Sequence, residues 1–455
     1  MTLVNRRKFL SLTSAGLAST LVSCGVRSDE AEGLAAAQGP VDSMESFAKV
    51  IREAKAGDTI VIANGRYDGW SADLDCQGTS KRPVTIRPES AGGVVFTGRS
   101  QISITGSYVT VDGLRFEECD FKKNLLDFKR SVHCSIVNCV FENSGGARAA
   151  IGISAGARNN RITDCRFTNI AARCVNLTMN DDIYEHGVPI GNVIRNNHFQ
   201  DIPRAGRNGR ETIKIGTNQP TFGHVVVGAI VEENLFDRCN GEAEIISNKC
   251  AGNIYRRNVF NQCDGELVMR GGANCLIEGN RFFAGKGGIR LCGTGHVVKD
   301  NVIVNSRGTG IRLYFGMTKG QGGHYQAAGQ CLVANNTIVN AKRVGILVGD
   351  GRGNDHKEKG IQNVAPEGNR LLNNIVTGTT GDLFLVDHAP GNLVAGNLFF
   401  LQGDAIVSSP GDDPIYADPL FSDPEGGDFR PSEGSLALES DPGKGASHAG
   451  PRFNP

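Results

Sequence analysis

The sequence predicts an all-β chain, a single-domain parallel β-helix: a solenoid with an N-terminal capping helix. Three observations carry this. An Asn-x-apolar unit recurs along the second two thirds of the chain, the apolar runs are short and strand-like, and turn formers dominate. Glycine supplies 60 of 455 residues, and Trp70 is the single tryptophan. Many turns around a slim core suit a coil better than a thick globule.

The chain opens on Asn5-Arg6-Arg7-Lys8-Phe9-Leu10, a twin arginine followed by hydrophobics, and then on a weakly apolar, acid-free stretch from Ser11 to Val22. That stretch is too short to remain as a membrane span. Leu21-Val22-Ser23-Cys24 looks like a bacterial lipobox, so Cys24 is the expected lipidation site. The expectation is a signal peptide over 1–23, a flexible tether over 24–40, a solenoid over 41–435 and a tail over 436–455. Such a protein is periplasmic or an outer-membrane lipoprotein, touching the membrane only through its lipid anchor, and is a monomer or homodimer.

Phe47, Val50, Ile51 and Ala54 lie at helical spacing, with Asp42 and Glu45 resembling a capping box and Gly57 as the stop. This helix is expected to cap the first coil, where an open end would expose a sheet edge. Short strands follow, among them "DTIVIA", "PVTIRP" and "YVTVDGLRF". From about residue 134 the unit repeats as "NCVF", "DCRF", "NHF", "NLF", "NVF" and "NRF". Asn234, Asn258, Asn280 and Asn301 follow one another at 24, 22 and 21 residues. Such a period marks a solenoid whose coils bury their faces on one another. Asparagines stacked at the turns would bond from coil to coil. The segment "ADPLFSDPEGGDFRPSEGS" resembles the closing stretch of many right-handed β-helices.

Alternation assigns faces. In "GEAEII", Ala243 and Ile245 read as inward and Glu242 and Glu244 as outward. Leu267 and Met269 go in, leaving Glu266, Val268 and Arg270 outside; Lys214, Arg290 and Arg312 are outward in their own strands. Arg270, Arg290 and Arg312 then read as a basic stripe of one arginine per coil, which would repel itself without an anionic ligand. A polymer of acidic sugars suits it. The outward glutamate pair also repels itself unless a hard cation such as Ca²⁺ sits between. Formal net charge is zero, and aromatics do not interleave with the basic residues, which argues against nucleic acid. Twelve cysteines follow Cys24; disulfides and buried thiols both remain open.

The segments "NGRYDG", "KRPVTIRPESAGGVVFTG", "RETIKIG", "EENLFDRCNGEAEIISNKC", "NIYRRNVFNQCDGELVMRGGANCLIEGNRF" and "GIRLCGTGHVVKDN" together resemble polysaccharide lyase family 6, which holds alginate lyases and chondroitinase B. The block from Glu232 to Asn301 is the most specific part. The resemblance implies a right-handed parallel β-helix that cleaves uronate polymers by β-elimination with Ca²⁺. It places metal ligands at Glu242, Glu244 and Asn208, the base at Lys249 and the acid at Arg270. Arg290 and His296 fall on substrate or supporting positions. Lys214, Arg312 and Tyr314 complete the expected substrate contacts. Two departures stand out: Gly271 replaces the histidine the family commonly has after the arginine, and Cys250 follows the lysine where serine is frequent.

In this expectation Ca²⁺ neutralises the C6 carboxylate, Lys249, its pKa lowered by the cation and Arg270, removes H5, and Arg270 serves the O4 leaving group. Alginate is the expected substrate. Chondroitin or dermatan sulfate is the alternative, as is a non-catalytic surface glycan-binding β-helix.

Overall fold

The computed structural model describes residues 39–206, 208–217, 219–318, 325–357 and 360–439. The expected signal peptide, the lipobox with Cys24 and the last residues of the tail lie outside them.

The helix forms over Met44–Glu53. Its cap lies one residue from the expected one: Ser43 accepts from the Ser46 backbone N–H, and the Ser46 hydroxyl answers the Ser43 N–H. A serine hydroxyl reaches back over one turn as a glutamate would. Phe47 and Ile51 are buried, and Phe47 meets Trp70 at 5.6 Å between ring centroids, closing the first coil.

Beyond it the chain winds as a parallel β-helix with three strand-lined faces. The first is a 13-stranded parallel sheet running from Thr59–Ile62 to Leu393–Ala395, and the other two are joined as 26 strands. Inside, Phe116, Phe141, Phe167, Phe199, Phe236, Phe260 and Phe282 stack one per coil, with centroids 4.4 to 5.1 Å apart. This separation follows the strand spacing of about 4.8 Å, so a residue kept at one register position meets its own kind above and below.

The recurring asparagines form a ladder at the turn between the first and second faces. Asn258 accepts from the Asn234 backbone N–H at 3.1 Å, and its Nδ2 donates to Val231 O and to Asn280 Oδ1, both at 2.9 Å. The same pattern runs through Asn197, Asn234, Asn280, Asn301, Asn336, Asn374 and Asn397. The residue before each rung turns sharply: Glu233 and Arg257 hold φ of 58° and 53° although neither is glycine. The ladder satisfies the buried backbone groups that such turns would otherwise orphan.

A second ladder, at the turn from the third face to the first, mixes residue types. Asn160, Asn192, Asn253, Asn369 and Asn392 share it with Cys134, Ala229, Cys275, His296 and Cys331. A thiol is a weaker rung: Cys134 Sγ reaches Gly106 O at 3.3 Å. All twelve described cysteines are free and buried, so none of them forms a disulfide.

The hairpin of Phe421–Asp423 with Asp428–Pro431 packs Phe421 and Phe429 on Val302, Val304 and Val339, outside the second face. The short helix Leu436–Glu439 sets Ala437 against Ile375 and Leu398.

Candidate active site

The third face carries the charged groups. Its strands Ile213–Ile215, Glu244–Asn248, Glu266–Met269, Ile289–Leu291 and Ile311–Tyr314 pair in parallel, one per coil. Ile213, Ile246, Leu267, Ile289 and Ile311 share one inward row. Ile246, not Ile245, therefore holds the place in that row; Ile245 is buried in the core beside it, and Ala243, which alternation put inward, is exposed. The register shifts between Glu244 and Ile246, a bulge that places two buried isoleucines in succession. Two residues on, Asn248 points inward instead, fully buried. Its Oδ1 accepts from the Tyr255 hydroxyl at 2.9 Å and Asn253 Nδ2 at 2.8 Å, and its Nδ2 donates to Gly271 O. This buried polar knot braces the two coils that carry the outward charges.

Outward, Lys214, Ser247, Val268, Arg290 and Arg312 share one row. Arg270 does not belong to it. It lies just past the strand end, its N–H bonded to Asn248 O at 2.9 Å, as the Lys249 N–H is bonded to Ile215 O at 2.8 Å. Lys249 and Arg270 thus leave neighbouring coils at the same level. Nor do the arginines stand unpaired. Arg270 Nη1 donates to Glu244 Oε1 at 2.7 Å, Arg290 bonds the same oxygen, and Arg312 bridges Glu266 and Asp350. Burial opposes ionisation of Glu244, but Arg290, Arg270 and Lys249 outweigh it and hold its carboxyl at about 2.

Three carboxylates converge here: Glu211, Glu242 and Glu244, with one oxygen from each lying within 4.8 Å of the others. Glu211 is the member that sequence reasoning missed. It stands two residues before Ile213, and Glu244 two before Ile246, and these isoleucines are cross-strand partners. Setting "ETIKIG" over "EIISNK" in register would have found it. Asn208, the expected third ligand, is exposed and lines a cleft of about 280 Å³ with Glu242, Asn240, Asp264 and Lys286.

The donor set fits a hard cation. All three groups offer carboxylate oxygen and are largely withdrawn from water. Burial, Glu211 and Glu244 push the Glu242 carboxyl above its ordinary range, against backbone N–H groups of Arg210 and Gly209 at 2.9 and 2.6 Å. A positive charge among the three would relieve that strain.

Lys249 is buried, with Nζ 3.2 Å from Glu211 Oε1; Arg173 Nε holds the other oxygen of Glu211 at 2.7 Å. Lys214, one coil back, is pushed down to about 8 by burial and by the charges of Lys249 and Arg173. Tyr314 lies between Arg290 and Arg312, whose guanidinium carbons sit 5.4 and 5.2 Å from its ring centre.

One expectation changes. His296 has no exposed surface and cannot touch substrate. It is a rung of the second ladder: Nδ1 accepts from the Cys275 N–H at 3.2 Å and Nε2 faces Cys292 O at 3.2 Å. Burial lowers it to about 4, so the ring is neutral. Cys250 is also fully buried, its thiol pushed up to about 12 by burial, and offers no thiolate. Where the family commonly has a histidine, Gly271 leads into Gly272, whose φ of 88° and closeness to the Cys250 carbonyl leave no room for a Cβ.

The family model for Chondroitinase B matches residues 41–403. Among curated proteins none matches the chain. Similar solved structures include the PL6 family alginate lyase AlyGC, at 25% identity and a TM-score of 0.75 over 91% of this chain. The chain spans 59% of the length of AlyGC. A mannuronic acid specific polysaccharide family 6 lyase from human gut microbiota is 25% identical, with a TM-score of 0.70 over 83% of this chain and 90% of its own. The PL6 family polysaccharide lyase Pedsa3628 from Pseudopedobacter saltans shares the fold at 23% identity, with a TM-score of 0.66 over 90% and 98% of the two chains.

Proposed function

Because the chain belongs to polysaccharide lyase family 6, we propose that it cleaves alginate by β-elimination, leaving an unsaturated uronate at the new end. The observation that carries this reading is the adjacency of Lys249 and Arg270 above the Glu211, Glu242 and Glu244 cluster. The C5 proton of a uronate is weakly acidic because its ionised carboxylate stabilises a carbanion poorly. A bound Ca²⁺, held by Glu211, Glu242 and Glu244, would neutralise that carboxylate and favour an enolate.

Lys249 is the group placed to take H5. It leaves its coil beside the carboxylate cluster, where the substrate carboxylate would bind. Arg270 lies one coil on, at the leaving-group side. A guanidinium keeps its proton at neutral pH, so Arg270 works chiefly by stabilising negative charge that develops on O4. Arg290, Arg312 and Tyr314 extend the same face and orient neighbouring residues of the polymer. Lys214 extends it the other way, a cation that burial leaves in need of an anionic partner.

Alginate is favoured by the alginate lyase AlyGC and the mannuronic acid specific lyase, both at 25% identity. The match to the Chondroitinase B model keeps dermatan or chondroitin sulfate as the second reading. Export by the twin-arginine route and a lipid anchor at Cys24 belong to the same proposal, on Asn5–Leu10 and Leu21–Cys24 alone. The test is incubation of the purified protein with block-defined alginates and with chondroitin and dermatan sulfates, resolving products by size and by unsaturated ends. Products from alginate alone support the reading; binding without depolymerisation of any of these polymers overturns it in favour of a glycan-binding protein.

A further inference from the structure

Two non-periodic segments leave the third face and meet beside Arg270. Gly316–Met317 pairs antiparallel with Gln362–Val364, joining them in a small flap among parallel strands. Gln362 is fully buried in it: Nε2 donates to Phe315 O at 2.6 Å, and Oε1 accepts from Asn354 Nδ2 at 3.0 Å and lies 2.9 Å from His356 Nε2. His356 stacks on Tyr325, with centroids 4.5 Å apart and planes at 26°. The Tyr325 ring in turn lies under the Arg270 guanidinium, its centre 4.1 Å from Cζ.

The backbone fixes Tyr325 from both sides. Its carbonyl accepts from the Met317 N–H at 2.8 Å, and the carbonyl of Gln326 accepts from the Gly293 N–H at 3.1 Å. Gly316 packs against the Ala327 backbone with no space for a side chain. The ring is therefore held by construction, not by a chance rotamer.

Arg270 needs such a hold. One nitrogen is bonded to Glu244, an oxygen it shares with Arg290, while its Nε is buried and has no hydrogen-bond partner. A single shared bond leaves the guanidinium free to swing about it. A ring against its face fixes the plane, and a cation over an aromatic face is itself favourable. We propose that Tyr325 is a positioning residue for Arg270, holding the guanidinium plane toward the leaving group, with His356 and Gln362 bracing the ring from behind. This rests on the reading of Arg270 as a participant in the elimination.

The interaction uses the ring and not the hydroxyl, so Tyr325→Phe should keep wild-type kcat and KM. Tyr325→Leu should lower kcat roughly 3- to 30-fold with KM changed less than about twofold. His356→Ala, which removes the backing but keeps the ring, should lower kcat in the same direction by less. Unfolding midpoints of the variants check that each is folded at assay temperature. Wild-type kcat in Tyr325→Leu overturns the inference, as does a rise in KM alone, which would make Tyr325 a substrate contact. Arg270→Ala at full activity overturns instead the functional reading on which it rests.

Discussion

The turn between the first and second faces and the outward side of the third face obey opposite rules. At the turn, from Asn197 to Asn397 each rung is one asparagine whose partners are supplied by identical asparagines in the next coils, as with Asn234, Asn258 and Asn280. Nothing is left over for a ligand. On the third face the repeat breaks. A bulge at Glu244–Ile246, an inward Asn248 and three converging carboxylates leave Glu242 short of positive charge and Arg270 short of one partner. Periodicity builds the scaffold, and departures from it mark the chemistry.

The largest effects should come from the broken side. Lys249→Ala and Arg270→Ala should each lower the rate of unsaturated-end formation by at least ~100-fold with the unfolding midpoint little changed. Next come the carboxylates. Glu242→Gln, Glu211→Gln or chelation should each lower activity roughly tenfold or more, and metal analysis of active protein should find calcium that Glu211→Gln has lost.

The ladder side should answer in stability. Asn258→Ala strands the Asn234 N–H and the Val231 carbonyl in the interior, and should cost about 2–4 kcal/mol in denaturant unfolding with kcat unchanged. Asn258→Cys should cost less, since cysteine already serves as a rung at Cys275 and Cys331. A smaller effect is expected at His296. Its folded pKa is depressed to about 4 by burial, so between about 6.5 and 4 the unfolded chain binds the extra proton. Stability should fall as pH drops through that window, by up to about 3 kcal/mol from this group. His296→Asn should flatten that part of the profile. The smallest change is none: Cys250→Ala should keep wild-type kcat, because the buried thiol has no part in the reaction.

This contrast also explains what could be read in advance. The solenoid was legible because its cause is local and repeated: Asn and Phe recur at the coil period. Glu242, Glu244, Lys249 and Arg270 were legible through a motif. Strict alternation put Ala243 inward and Arg270 in the row of Arg290, because a bulge and a strand end do not show in a pattern of period two. Glu211 went unseen for want of register, which the paired isoleucines would have supplied. His296 looked like a site residue because the family resemblance set it on a substrate or supporting position, yet it stands in a ladder built mostly of asparagine and cysteine. Tyr325 and His356 lie on non-periodic segments, where only packing brings them together.

The most direct test sets one residue from each side in a single experiment. Lys249→Ala and Asn258→Ala, purified in parallel, are assayed for unsaturated ends released from alginate and for unfolding midpoint. The account predicts a crossed result: Lys249→Ala stable and inactive, Asn258→Ala destabilised but fully active while folded. An active Lys249→Ala protein, or a folded Asn258→Ala protein without activity, would contradict it.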